Sequence, residues 1–434
     1  MRMLQAYCVS ALIAAGCLAQ IQIPEELGSL PGDGRLPRRE PMPISEVTGL
    51  VRRVEKKSVV VEADDARLIT IYLDAKSKLD ATSTPGDTVF VTANVKDGRW
   101  TAIEIRHVRT ATAKERERAQ APLPVNVYET PDAPTNTKAQ SPSPEAPYTP
   151  GPSTTRLPPE TDSEGRPRIR RGPPLAVKLP PPSPESPGEK QTPTEPPISS
   201  TRFSVSRDPV LVQARIVSAS YSSTLPNFIA KQFTTRYERQ PKAEFQVQDQ
   251  IECEVIVENG LERYRDFKRH GRSLKDAPTD QGSWSSGEFR TLQSMVLDNG
   301  AAVFFNKAKD TILRREAVRF QFTVPREASQ WRVQAASQVY LPAYSGTIWI
   351  DVETSRVLRL ELESRGIPEG FPVSKAETMV DYDFIALGSR KYLLPSAAAS
   401  LVCETGTKVC SKNEIQFRHY KTFGAESKIT FEEK

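Results

Sequence analysis

Hydrophobic and polar positions alternate through much of the second half of the chain. Val318, Phe320, Phe322 and Val324 are interleaved with Arg319, Gln321 and Thr323, and Leu358, Leu360 and Leu362 with Arg359 and Glu361. A period of two predicts strands with one dry face and one wet face, the pattern of an antiparallel sheet. Ile251, Cys253, Val255 and Val257 repeat it up to Asn259-Gly260, a strong hairpin signal, after which Leu261 to Phe267 returns. Further strands are expected at 331–340, 346–351, 376–386, 399–403, 413–422 and 427–432. About ten consecutive antiparallel strands curl into a barrel or half-barrel.

Helical spacing interrupts this pattern in three places. Val210–Tyr221 and Leu225–Tyr237 read as helices, the second with Leu225, Phe228, Ile229 and Phe233 on one face, Ser223-Thr224 as cap and Pro226 in its first turn. Gly287–Leu297 reads as a third, with Phe289, Leu292 and Val296 on one face, placed to plug the curled sheet. Glu288 near its start reads as a first-turn charge suited to the helix dipole.

Five shorter alternating runs precede these, at Val47–Val54, Ser58–Glu62, Leu68–Leu73, Thr88–Val95 and Trp100–Val108. Asp97-Gly98 joins the last two as a two-residue hairpin, and Pro85-Gly86-Asp87 opens the fourth. Together with Gly49 and Ala102-Ile103-Glu104-Ile105, the pattern over 44–110 resembles small bacterial OB-like domains, whose fold is a five-stranded barrel. Such barrels bind nucleic acid through exposed aromatics over a basic groove. Here Tyr72, Phe90 and Trp100 fall within alternating strands and read as core.

Between the two strand-rich spans, residues 111–205 hold most of the chain's 37 prolines, mixed with Ser, Thr, Glu and Gly. No core forms from that composition, so an extended, disordered Pro-rich linker is expected. The formal net charge of +5 is mild for 434 residues, and Arg166, Arg168, Arg170 and Arg171 of the linker carry much of it. It gives no reason to expect a nucleic-acid partner.

The first residues have Arg2, an apolar run from Ala6 to Ala15 and then small side chains, the pattern of a secretory signal peptide over residues 1–19. That run is too short to span a membrane. Two processing routes fit it. Ala14-Ala15-Gly16-Cys17 resembles a lipobox that would acylate Cys17, whereas Cys17-Leu18-Ala19 suits ordinary cleavage after Ala19. An exported chain meets an oxidising compartment. Cys403 and Cys410 are then the natural disulfide pair, a two-cysteine metal site being the rival reading with no His or third Cys nearby, and Cys253, on an apolar strand face, a buried free thiol.

Over residues 206–434 a family resemblance emerges. N-terminal helices, a run of antiparallel strands, an intervening helix, and Gly346-Thr347-Ile348-Trp349-Ile350-Asp351-Val352-Glu353-Thr354 followed by Val357-Leu358-Arg359-Leu360 are similar to the lipoprotein-carrier (LolA/LolB-like) superfamily. Leu225-Pro226-Asn227-Phe228 and Tyr392-Leu393-Leu394-Pro395 resemble envelope proteins of the same broad group. The resemblance implies an antiparallel half-barrel closed by helices, with an apolar cavity for a lipid or a lipoprotein acyl chain. Phe228, Phe233, Phe289, Leu292, Met295 and Val296 either line such a cavity or fill the barrel. The expected fold class is thus mainly β: a small OB-like barrel and a larger LolA-like half-barrel.

Catalytic patterns are missing from the sequence. His107, His270 and His419 lie in separate segments, and no zinc-binding pair, phosphate-binding loop or dinucleotide fingerprint occurs. Gly282-Ser283-Trp284-Ser285-Ser286-Gly287 has the wrong glycine spacing for a nucleophile elbow and reads as a flexible loop. The expectation is a non-catalytic envelope protein of the periplasm or outer membrane, with no cofactor or metal. It either carries an apolar ligand or acts as an adaptor that binds other envelope proteins or the cell wall. Membrane contact is expected only through an N-terminal lipid anchor.

Overall fold

The computed structural model describes residues 20–23, 44–79, 83–121, 161, 166–169 and 207–423, apart from 242, 259–260, 276–277 and 279–281. The signal segment with Cys17, the hairpin turn at 259–260, most of the linker and the strand expected at 427–432 lie outside the described residues.

In the first unit, β2 (Ile44–Val54), β3 (Ser58–Ala63), β4 (Leu68–Tyr72), β6 (Thr88–Lys96) and β7 (Arg99–Arg109) bury Val51, Val61, Ile69, Ile71, Val89, Val91, Trp100 and Ile105 together. β2 pairs with β3 and β6, β3 with β4, β6 with β7, and β4 with β7 in parallel through Ile71 and Trp100. A two-residue strand β5 (Lys78–Leu79) flanks β7. Asp97 and Gly98 both take positive φ, 52° and 73°, as the tight turn between β6 and β7 requires. The unit continues into the span assigned to the linker: helix α1 (Ala113–Gln120) starts with a capping box between Thr112 and Glu115, and its Arg118 bonds Glu62. Local capping chemistry thus orders residues that composition assigned to the tether.

The second unit opens with α2 (Pro209–Thr224), then β8 (Phe228–Arg239), β9 (Gln246–Glu258), β10 (Leu261–Arg269), β11 (Arg272–Ser273), α3 (Thr291–Leu297), β12 (Val303–Ile312) and β13 (Arg315–Val324). It continues with β14 (Arg332–Ala335), β15 (Gln338–Tyr340), β16 (Ala343–Asp351), β17 (Val357–Arg365), β18 (Val373–Leu387), β19 (Arg390–Glu404) and β20 (Cys410–Thr422). Among the described residues, eleven strands form one antiparallel sheet in the order β11-β10-β9-β8-β20-β19-β18-β17-β16-β13-β12. Gly346 sits where a Cβ would lie 1.9 Å from the Glu361 carbonyl oxygen and 2.5 Å from the Phe322 ring, so only glycine lets that ring cross the sheet.

The expected helix at Leu225–Tyr237 is a strand. Phe228, Ala230, Gln232, Thr234 and Arg236 alternate as buried positions on β8, which pairs with both β9 and β20. Its inner face turns from apolar to polar part-way along, which hides the period of two. The third helix is shorter than expected and begins at Thr291, leaving Glu288 ahead of its first turn.

The region expected as one strand at 331–340 is a hairpin that leaves the large sheet. β15 pairs with β4 of the first unit through Gln338–Ile69 and Val339–Leu68, while β1 (Gln20–Ile23) runs parallel to β14. At this junction the Ser337 hydroxyl donates to Gly98 O at 2.7 Å, the Thr70 amide donates to Ser337 O at 2.8 Å, and Arg67 bonds Gln338 Oε1 at 3.0 Å and the Gly370 carbonyl. The two units are therefore joined by a continuous sheet as well as by the linker.

Candidate functional site

One face of the large sheet is covered by α2 and α3, whose buried side chains share a core with it, and that is the natural place to look for a ligand. Phe228, Phe289, Leu292, Met295 and Val296 come together there, each at most 1% exposed. Phe289 touches Phe228 and Phe417 with ring centroids at 5.7 and 5.1 Å. Phe233 is not among them: a strand sends it to the opposite face, where it meets His419 edge-on at 6.2 Å. Two buried tyrosines pin the plug, Tyr344 Oη donating to Met295 O at 2.7 Å and Tyr382 Oη to Glu288 O at 2.8 Å. Ala214, Val217 and Ser218 of α2, with Gln293, Arg356, Val357 and Leu393, line a small, partly open cleft of about 10 Å³. α2 buries Leu211 and Ala214 but leaves Val212 42% and Ile216 58% exposed.

Beside this apolar region lies a polar one that sequence reasoning missed. The loop read as flexible is buried: Ser283, Trp284 and Ser285 are 0%, 6% and 5% exposed, because Trp284 packs edge-on against Phe267 at 5.6 Å and Tyr264 at 6.2 Å. It carries Ser285, whose hydroxyl donates to Glu288 Oε1 at 2.9 Å. The Tyr264 hydroxyl lies 3.1 Å from Glu262 Oε2 and 3.4 Å from Glu288 Oε2. Glu262 Oε1 also accepts from the Arg290 amide at 3.3 Å. Burial first, and then the nearby Glu288 carboxyl, push Glu262 up to about 8, and burial raises Glu288 as well. Glu288 is thus a buried acid rather than a solvated first-turn charge. Cys253 is the expected buried free thiol, raised by burial and then by Glu288. The only forewarning in the sequence is Glu262 directly after a hairpin turn, among residues that alternate weakly.

A second polar cluster closes the same end of the sheet. Arg236, 1% exposed, holds Asp249 with two bonds of 2.6 and 2.5 Å and donates to Pro278 O at 2.8 Å, and Arg269 lies 3.1 Å from Asp249. Fork geometry satisfies a buried carboxylate that would otherwise be costly.

On the opposite face, Cys403 and Cys410 form the disulfide, directly across β19 and β20. The face read as wet is largely covered: Glu361 and Glu377 are 0% exposed, Lys375 2%, Arg359 and Glu363 7%. Arg359 is held by Asp381, with one bond at 2.7 Å.

No family model matches the chain, and no curated protein matches it in sequence. Three solved structures are similar to about half of the chain, with low TM-scores. A LolA superfamily protein from Nitrosomonas europaea shares 11% identity over 51% of this chain and 96% of its own, with a TM-score of 0.22. The Pseudomonas aeruginosa MucA/MucB complex shares 12% over 50% and 99%, with a TM-score of 0.15. MucB in complex with MucA(peri) shares 10% over 50% and 99%, again at 0.15.

Proposed function

We propose that this chain is an exported, non-catalytic cell-envelope protein acting as a two-unit adaptor, binding other envelope components through its surfaces. The observation that carries the reading is the buried cluster on the helix-covered face of the sheet, where Phe228, Phe289, Leu292, Met295 and Val296 pack together with sheet residues. A ligand chamber of ordinary size holds about 300 Å³ or more in enclosed form. The closed ring of pairings β2-β3-β4-β7-β6 supports an OB-like small unit, and the long antiparallel sheet with helices packed on it supports a LolA-like large one. Export rests on the sequence of residues 1–19, and no described helix is long and apolar enough to cross a membrane. Anchoring is tested by palmitate labelling: incorporation that disappears in Cys17→Ala supports a lipid anchor, and equal or absent labelling removes it.

A second reading, an apolar ligand such as an acyl chain held under α2, is favoured by one observation. The open cleft lies beneath a helix that exposes Val212 and Ile216 on its far side, as a lid that meets apolar material would. Native mass spectrometry and lipid extraction of the purified protein separate the two readings. The adaptor reading expects no copurifying apolar molecule and no binding of a fluorescent fatty acid. A stoichiometric lipid would replace it with the carrier reading.

A further inference from the structure

The outer face of the large sheet carries charges that the alternation of β17 and β18 assigns to water, yet they are buried. Pairing register shows how they are arranged. Ser345, Glu363, Glu377, Leu401, Lys412 and Tyr237 are successive partners across β16, β17, β18, β19, β20 and β8 and so form one row on one face. Lys375, Cys403 and Cys410 form the neighbouring row.

A short piece of the linker lies across these rows. The Ile169 amide donates to Glu377 Oε2 at 2.8 Å, Lys375 Nζ donates to Pro167 O at 3.0 Å, and the Arg168 guanidinium is 3.6 Å from Glu363. Lys375 is itself 3.0 Å from Glu377. The Ile169 side chain joins Leu401, Phe245 and the Cys403–Cys410 disulfide in a separate apolar cluster. Each peptide feature has a matching feature on the sheet. A proline keeps the backbone extended, its carbonyl meets a lysine, the next amide but one meets a glutamate, a cation meets a carboxylate, and an apolar side chain enters an apolar pocket. That set of contacts reads backbone and side chains together, as grooves for proline-containing segments do.

We propose that this face is a peptide-recognition groove for an extended segment of the pattern proline, basic, apolar, with Pro167–Ile169 as its resident ligand in cis. A basic, proline-bearing segment of an envelope partner enters only by displacing the linker. The groove lies on the face opposite the helical plug, so it stands whether or not the helix-covered side takes an apolar ligand.

The test replaces residues 161–171 in the full chain with a Gly/Ser stretch of equal length and measures binding of a labelled synthetic peptide of those residues by fluorescence polarisation. The peptide is expected to bind the replaced chain and not the unmodified one. An Arg168→Glu peptide is expected to bind about tenfold weaker or worse, as loss and reversal of a part-buried ion pair implies. Absence of binding to the replaced chain, or equal binding to both chains, overturns the proposal. Hydrogen exchange on the unmodified chain gives a readout that needs no variant: the Ile169 amide is expected to be protected like a sheet amide, and free exchange there overturns the groove equally.

Discussion

Replacing Glu262 by Gln is expected to remove much of the pH dependence that the buried acid pair imposes on folding. In the folded chain Glu262 is held protonated up to about 8 by burial and by Glu288, against an ordinary value of 4.5. Between those limits the folded state keeps a proton that the unfolded state has released, so stability is full below the unfolded value and declines as pH rises through the folded one. Each tenfold gain in proton affinity is worth about 1.4 kcal/mol, so the whole decline amounts to roughly 5 kcal/mol, with Glu288 raised in the same direction. Glutamine keeps an acceptor for the Arg290 amide and supplies a permanent donor toward Tyr264 and Glu288, without the charge. Urea unfolding midpoints followed from about pH 5 to about pH 9 should fall steadily in the parent and much less in Glu262→Gln. The variant should match the parent at the acid end and exceed it at the alkaline end. A parent whose midpoint is flat, or a variant with the same slope, would refute the reasoning.

Phe289→Ala should cost about 3 to 5 kcal/mol, because its ring is buried and packed on Phe228 and Phe417, and thermal unfolding measures the loss. A loss below about 1 kcal/mol would mean that Phe289 borders a chamber instead of filling it. Opening the Cys403–Cys410 bond with a double serine substitution should cost about 2.5 kcal/mol from the short loop it closes, read as a shift in the urea midpoint. Gly98→Val should separate the two units without unfolding either, since a Cβ there would lie 2.6 Å from that of Ala336 across the junction and at φ +73°. Small-angle scattering should then report a larger radius of gyration, and an unchanged value would show that the junction does not hold the units together.

Alternation makes β13 and β17 legible because each has an unbroken apolar row, Phe320 to Val324 and Leu358 to Leu362. β8 reads as a helix because Phe228 and Ala230 give way to Gln232, Thr234 and Arg236 on the same inner face, where the Trp284 loop and Asp249 supply polar partners. β12 escapes sequence reading for a related reason. It is an edge strand with little burial, and the register shift between Phe305 and Ala308 breaks its period. Five of the six candidate side chains, all but Phe233, belong to one buried cluster, since the apolar spacing of 289–296 holds in the short helix. The Glu262–Glu288 pair and the linker's docking depend on residues distant in sequence, and no local pattern records such contacts. The cysteine pair is legible from the export pattern and the place of Cys253 on an apolar strand face, which leave Cys403 and Cys410 to pair.

The hairpin of β14 and β15 also sets a timetable for the chain. β1 and β4 are made early, but their partners Arg332–Ala335 and Gln338–Val339 come some three hundred residues later in the sequence. Until that hairpin has formed, two strand edges near the start of the chain stay without the neighbours they have in the finished fold, and edges of that kind invite pairing with other chains. The loop that must close is long, and its closure is slow compared with the local pairing within either unit. Docking of the two units is therefore a late event in folding, and a chain truncated before residue 332 would leave both edges permanently open to self-association.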